Sequence, residues 1–138
     1  MAGTYAGGCR CSAVRYEISA EPLTMLQCQC RECQQATGGG HGSWLAFPLA
    51  AAKILGKPAR FNRPTDSGAA FVQEFCQHCG SPLFGRSATA RDHLYVMAGS
   101  LDDPSVFKPQ MVMYTGRGHR WDKIDPALKS FPEMPRHT

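Results

Sequence analysis

The sequence predicts a mainly β fold with one or two short helices and zinc knuckles. Short apolar runs of strand length are separated by turns rich in glycine and proline. Seven cysteines fall in three close groups, and two of these groups lie beside glycines. A length of 138 residues, with 43% hydrophobic and 19% charged residues, is typical of one globular domain spanning residues 1–138.

The elements follow from local patterns along the chain. Apolar and polar residues alternate over residues 14–18, and residues 24–27 follow the break at Pro22 and lead to Cys28, so we predict a strand at each. Good helix formers at 31–36 predict a short helix that Thr37 and the following glycines stop. Further strands are expected at 43–47, 53–55, 59–61, 71–75, 94–98 and 111–114.

The sequence also makes predictions about the pairing of two strands, the C-terminal tail and the aromatic residues of the core. The strands at 53–55 and 59–61 are expected to pair through the turn at Gly56 and Pro58. The tail from residue 116 to 138 is predicted to be irregular, because its prolines interrupt regular structure. The large aromatic residues expected in the core are Trp44, Phe47, Phe75, Phe84 and Trp121.

Two cysteine pairs, Cys9-x-Cys11 and Cys76-x-x-Cys79, have the spacing of zinc knuckles. Four thiolates close one tetrahedral site, so we predict a structural zinc that joins two distant turns. Gly80 follows the second pair and is expected to reverse the chain with a positive φ. The alternative, a thioredoxin-like redox pair, requires the motif to open a helix, and the sequence Gly80-Ser81-Pro82 argues against it.

The remaining three cysteines are Cys28, Cys30 and Cys33. We interpret them as the catalytic group, holding a second zinc whose fourth position is open, and a helix starting at residue 31 would favour their thiolate forms. The alternative is a second structural zinc closed by a histidine, for which His41 is the candidate. Spacing alone does not assign each thiol to an ion.

Three thiolates give such a site a net negative charge, so it is a weak Lewis acid toward a carbonyl group. It is better suited to binding a substrate thiol as thiolate. This chemistry fits the addition of a thiol to an aldehyde, or the reverse cleavage. Arg31 and His41 are candidates for binding substrate carboxylates or moving a proton, although both are also ordinary surface residue types.

The net charge of +4 is spread over 15 basic and 11 acidic residues without a basic block, which argues against a nucleic-acid partner. A non-catalytic zinc module that binds protein or nucleic acid is the alternative function. The N-terminal residues lack a signal-peptide pattern, and no apolar run approaches the roughly 18 residues of a membrane span. We therefore expect a cytoplasmic protein, whose thiols stay reduced and free to bind metal.

The whole pattern resembles a known family. Gly8-Cys9-x-Cys11, Cys28-x-Cys30-x-x-Cys33, the run from Phe75 to Leu83 and Trp121 before a proline-rich end are similar to the glutathione-dependent formaldehyde-activating enzyme family, also named with centromere protein V. The resemblance implies a β-tent fold shared with methionine sulfoxide reductase B-like domains. It also implies a structural zinc on Cys9, Cys11, Cys76 and Cys79, and a catalytic zinc on Cys28, Cys30 and Cys33.

The same resemblance implies a substrate pair and a reaction. Glutathione is the expected cosubstrate, and its sulfur or a water completes the second zinc. The implied activity is condensation of glutathione with formaldehyde to S-(hydroxymethyl)glutathione, which is classed as carbon–sulfur lyase chemistry. The expected partners are therefore a small-molecule thiol and an aldehyde.

Overall fold

The computed structural model describes residues 3–64 and 68–134, and within these ranges it contains one α-helix and eleven strands in two sheets. The helix, α1, spans Arg31–Thr37. The strands are β1 Tyr5–Gly8, β2 Arg15–Ile18, β3 Thr24–Cys28, β4 Gly42–Pro48, β5 Ala52–Leu55, β6 Ala59–Pro64, β7 Ala70–Phe75, β8 Pro82–Ser87, β9 Ala90–Met97, β10 Met111–Met113 and β11 Lys129–Ser130.

Short 3₁₀ helices connect several of these elements, at Leu49–Ala51, Ala98–Ser100, Pro104–Val106 and Thr115–Arg117. The prediction of a mainly β fold with one or two short helices is confirmed. In the described ranges no helix is both long and apolar enough to span a membrane.

The small sheet is antiparallel and has the order β1-β2-β5. The alternation that predicts β2 places Tyr16 and Ile18 in the core with no exposed surface. The pairing predicted between residues 53–55 and 59–61 is wrong, because β5 pairs with β2 while β6 pairs with β7 in the other sheet. Gly56, with φ of 91°, carries the chain so close to the carbonyl oxygen of Ala13 that a Cβ would lie 2.2 Å from it.

The large sheet has the order β11-β10-β3-β4-β9-β8-β7-β6. Strand β10 runs parallel to both β3 and β11, and the other neighbours are antiparallel. The tail predicted to be irregular therefore contains one short strand, β11, which pairs with β10. The last residues of that tail, 135–138, lie outside the described residues.

The two faces of the large sheet pack in two different core clusters. One face, bearing Leu45 and Phe47, packs against the small sheet in the main core. The other face bears Cys28 and Trp44 in a second core cluster that includes Cys33 of α1, and we call it the helix-bearing face. Each face of the large sheet thus carries its own group of cysteines, since Cys9 and Cys76 belong to the main core.

The aromatic residues predicted for the core mostly lie there. Trp44, Phe47 and Phe84 are buried and Phe75 is half-buried. Trp121 is the exception, with 67% of its surface exposed. It stacks on the ring of His119 at the surface, with ring centroids 5.3 Å apart and planes inclined by 3°.

Candidate metal centres

The first cysteine group joins two turns that are distant in sequence. Cys9 and Cys11 lie between β1 and β2, and Cys76 and Cys79 lie between β7 and β8. All four sulfurs lie within 4.8 Å of one another, with Cys9–Cys11 at 3.7 Å and Cys11–Cys76 at 3.6 Å. Tetrahedral Zn²⁺ with Zn–S bonds of about 2.3 Å separates its sulfurs by about 3.8 Å. The group therefore fits a closed four-thiolate zinc site.

Backbone hydrogen bonds shape both turns around these sulfurs. The Val14 N–H donates to Cys9 Sγ at 3.3 Å, and the His78 N–H donates to Cys76 Sγ at 3.4 Å. Gly80 has φ of 79°, as predicted, and its N–H donates to the carbonyl of Cys76 at 2.8 Å. The chain then enters β8 rather than a helix, which is the arrangement of a zinc knuckle and not of a thioredoxin-like pair.

The second group forms where β3 meets α1. Cys28 ends β3, Cys30 is the N-cap residue of α1, and Cys33 lies in the first turn, where its N–H donates to Cys30 Sγ at 3.4 Å. The three sulfurs lie within 4.8 Å of one another, and among the described residues no other cysteine, histidine or carboxylate joins the group. The arrangement could hold a metal ion with three protein ligands.

The thiols of this second group form hydrogen bonds with one another that shift their pKa values. Hydrogen bonds from the Cys28 and Cys30 thiols hold the pKa of Cys33 well below its ordinary value. Conversely, hydrogen bonding to Cys30 and Cys33, together with burial, raises the pKa of Cys28. These hydrogen bonds thus favour the thiolate form of Cys33.

Gly42, which the sequence analysis did not single out, allows this group to close. It pairs with Cys28 across β3 and β4. A Cβ at Gly42 would lie 3.3 Å from Cys33 Sγ and 2.5 Å from Trp44 Nε1. The position next to the second thiol group therefore has no room for a side chain, and the sequence signal for it is a glycine directly before the strand predicted at 43–47.

His41 lies apart from the second thiol group. Its Nδ1 is 2.9 Å from the carboxylate of Asp122, and its Nε2 is 3.2 Å from Gln27 Nε2. Gln27 and Cys28 are neighbours on one strand and so point to opposite faces of the sheet. The His41 ring lies with Gln27, and this geometry gives no support to His41 as the ligand that closes a second zinc. Arg31 is exposed on α1 directly after Cys30.

A segment from the tail covers the loop of the second thiol group. We call residues 117–122 the C-terminal strap. Gln29 Nε2 donates to Asp122 Oδ2 at 3.0 Å, and His119 Nε2 lies 3.0 Å from Gln34 Oε1. Both glutamines are 4% exposed. Sequence reasoning missed these contacts, because nothing local in an irregular segment indicates which loop it covers.

Comparisons with known proteins identify the family of the chain and a similar fold. The family model of the glutathione-dependent formaldehyde-activating enzyme matches residues 4–117. A Rhodobacter sphaeroides protein, whose crystal structure was a structural-genomics target, superposes with a TM-score of 0.58 at 15% sequence identity, covering 91% of this chain and 98% of that one. That likeness concerns the fold. No curated protein sequence gives a significant match. Since the matched region covers most of its length and contains all seven cysteines, the chain belongs to the glutathione-dependent formaldehyde-activating enzyme family.

Proposed function

We propose that this protein catalyses the addition of glutathione to formaldehyde, giving S-(hydroxymethyl)glutathione, or a closely related addition of a thiol to an aldehyde. The observation that carries the proposal is the three-thiol group of Cys28, Cys30 and Cys33, which has no fourth protein ligand among the described residues. The first group has four thiols and fits a structural zinc. Family membership supplies the identity of the two substrates.

The three thiols fit zinc, the ion best suited to thiolate ligands in a non-redox role. Cys28, Cys30 and Cys33 would hold this ion, and the bound ion would lower the pKa of a substrate thiol beside them. In the reaction the glutathione sulfur attacks the formaldehyde carbon and forms the C–S bond. The carbonyl π electrons move to oxygen, which takes up the proton lost by the thiol. The reverse sequence is the lyase direction.

Other residues of the chain bind and position the reactants in this proposal. Arg31, exposed beside Cys30, is assigned to a substrate carboxylate. His41 was a second candidate for contact with substrate. Since both its ring nitrogens already lie against Asp122 and Gln27, we assign it to holding the C-terminal strap. We further propose a cytoplasmic setting, where glutathione is abundant and thiols remain reduced.

The first test is zinc content per chain by elemental analysis, before and after dialysis against a moderate chelator, with and without glutathione. We expect two zinc ions, of which one is lost readily and is retained better with glutathione present. Formation of the adduct is then followed by NMR exchange between free and bound formaldehyde, because the uncatalysed reaction also proceeds. Cys30→Ser is the matched inactive control.

The outcome that would contradict the proposal is equally specific. Two zinc ions retained equally, with no response to glutathione and no faster exchange than with Cys30→Ser, would show that the second site is closed. The function would then be that of a non-catalytic zinc module. Titration with duplex DNA at several salt concentrations would test one partner for such a module, because binding to phosphates weakens steeply with salt.

A further inference from the structure

A cleft of about 670 Å³ lies beside α1, between the helix and the strands β6 and β7. This size is within the roughly 300–1,000 Å³ range of small-molecule pockets. We call it the arginine cleft, and the side chains that give it its character are Arg31, Glu32, Phe61, Arg63, Phe75 and Arg117. None of them is a ligand in either thiol group.

The charge of the cleft is strongly positive. Its lining contains three arginines, Arg31, Arg63 and Arg117, against a single carboxylate, Glu32. The opposite face of the same strands is different, because there the buried Glu74 receives hydrogen bonds from both Arg60 and Arg86, at 2.7 and 3.0 Å. The arginines of the cleft therefore form a concave, cationic surface that favours an anionic ligand.

Arg63 is the half-buried arginine of the cleft, whereas Arg31 and Arg117 are exposed. Its Nη1 donates to the carbonyl oxygen of Glu32 at 2.6 Å, and its guanidinium carbon lies 5.7 Å from the centre of the Phe71 ring. The Nε of Arg63 is buried and has no hydrogen-bond partner among the described residues. A buried guanidinium N–H without an acceptor is costly, and an anion in the cleft would supply one.

The cleft and the second thiol group lie on the same face of the large sheet. Phe71, beneath Arg63, packs edge-on against Trp44 with ring centroids 5.9 Å apart. Trp44 in turn belongs to the same core cluster as Cys28 and Cys33. Arg63 therefore connects the two features through packing.

We propose that the arginine cleft binds the carboxylates of the thiol substrate, with Arg63 selecting an anionic thiol over a neutral one. A guanidinium group offers two parallel N–H donors that match a carboxylate, and three such groups suit a ligand with two carboxylates. The proposal rests on the proposed function in one respect, that the bound thiol reacts at Cys28, Cys30 and Cys33. The cleft's preference for carboxylates can be measured without any reaction.

The experiment is calorimetric titration of the zinc-loaded full-length protein with S-methylglutathione. This compound keeps both carboxylates but has no thiol proton, so its binding does not depend on turnover. We expect Arg63→Gln to weaken binding about tenfold or more, since hydrogen bonds between charged groups are lost. Arg91→Gln removes the same charge from an exposed position of β9 outside the cleft lining, and should change binding less than about twofold.

The diethyl ester of S-methylglutathione removes the anionic groups from the ligand instead of the cation from the protein. We expect the natural protein to bind it about as weakly as Arg63→Gln binds the acid. If Arg63→Gln proves unable to fold, Arg31→Gln replaces it, because Arg31 is exposed, and a weakening of about threefold is expected there. Zinc content and circular dichroism show that each variant is intact.

Equal affinity of the natural protein and Arg63→Gln for S-methylglutathione, equal affinity for the acid and the ester, or no binding at all would overturn the assignment of the cleft. These results are separate from those that test the reaction. A protein that binds S-methylglutathione through Arg63 but does not accelerate adduct formation would overturn only the proposed function. A protein that accelerates it equally with and without Arg63 would overturn only the role of the cleft.

Discussion

The carboxylate of Asp122 accepts a hydrogen bond of 2.9 Å from Nδ1 of His41, across 81 positions of sequence. An ionised carboxylate is only an acceptor, so Nδ1 of His41 carries the proton. The Asp122 side chain is 10% exposed and also accepts from Gln29, which lies between two of the cysteines. This one carboxylate thus fastens the C-terminal strap both to the loop of the second thiol group, through Gln29, and to His41.

We expect Asp122→Ala to detach the strap and to loosen the second metal site. Removing an acceptor that serves the buried Gln29 and the half-buried His41 should lower the free energy of unfolding by about 1.5–3 kcal/mol. Zinc should also leave the second site faster. Urea unfolding and the rate of zinc release to a chelator measure the two effects. Asp92→Ala is the control, because that side chain is 90% exposed; equal effects of both substitutions would contradict the role of Asp122.

The two thiol groups should respond differently to loss of one ligand. We expect Cys30→Ser to remove one equivalent of zinc and leave a folded protein, because the second group joins neighbouring residues of one loop. Cys79→Ser should unfold the protein or reduce its stability severely, because the first group fastens residues 9–11 to residues 76–79. Zinc analysis and circular dichroism distinguish these results. Equal loss of structure in both variants would refute the division into structural and catalytic sites.

Gly42→Ala should damage the second site selectively. The added Cβ would lie 2.5 Å from Trp44 Nε1 and 3.3 Å from Cys33 Sγ, so either the indole or the thiol must move. We expect one zinc to be held about tenfold more weakly or worse, with the other unchanged, since a metal site tolerates little displacement of its ligands. Gly99→Ala is the matched control, because a Cβ there meets nothing within 4 Å. Normal retention of both zinc ions in Gly42→Ala would show that the site relaxes freely.

Tyr16 should make the fold sensitive to alkali. Its side chain is fully buried, and this burial raises its pKa from 10.0 to about 12, against the opposing effect of a hydrogen bond with Ser100. The unfolded chain loses the phenolic proton first, so the stability that Tyr16 contributes is complete below pH 10 and disappears as the pH rises toward 12. The loss should reach at most about 3 kcal/mol.

Tyr16→Phe is the variant that isolates this effect. At pH 8 it should be slightly less stable than the natural protein, by about 1 kcal/mol, because the 2.7 Å hydrogen bond with Ser100 is lost. Between pH 10 and 12 its free energy of unfolding should fall less steeply. Denaturant titrations at pH 8, 10 and 11 give both curves, and parallel curves would exclude a contribution from Tyr16.

The cysteine groups could be predicted because zinc-binding cysteines occur at short, characteristic spacings in the sequence. Four thiols in two pairs satisfy a closed site and leave Cys28, Cys30 and Cys33, and the structure brings together the same two sets. Local sequence signals also predicted β2, β4 and α1, since alternation, helix formers and a stopping glycine act within a few residues. The sequence therefore sufficed for β3 and α1, which carry the second thiol group, whereas β1 and β8, which flank the first group, were not predicted.

The partners of those elements depend on distant contacts and could not be predicted. Strand β5 pairs with β2 and not with β6, because its half-buried Ile54 completes the small sheet's contact with the main core. Trp121 was expected inside because it is large and aromatic, yet it stacks on His119 at the surface. The strap is held by contacts of Asp122 with His41 and Gln29 and of His119 with Gln34, and the matching of these partners follows from the folded shape.

The parallel pairing of β10 with β3 joins residues that are synthesised far apart in time. Leu26 of β3 has its partner at Met111, so the loop with Cys28 and Cys33 leaves the ribosome well before the strand and strap that flank it. At about 5–20 residues per second this interval lasts on the order of 4–17 seconds. The first thiol group, complete once Cys79 emerges, can capture its metal within that interval. The second group acquires its final surroundings last, when most of the sheet is already built.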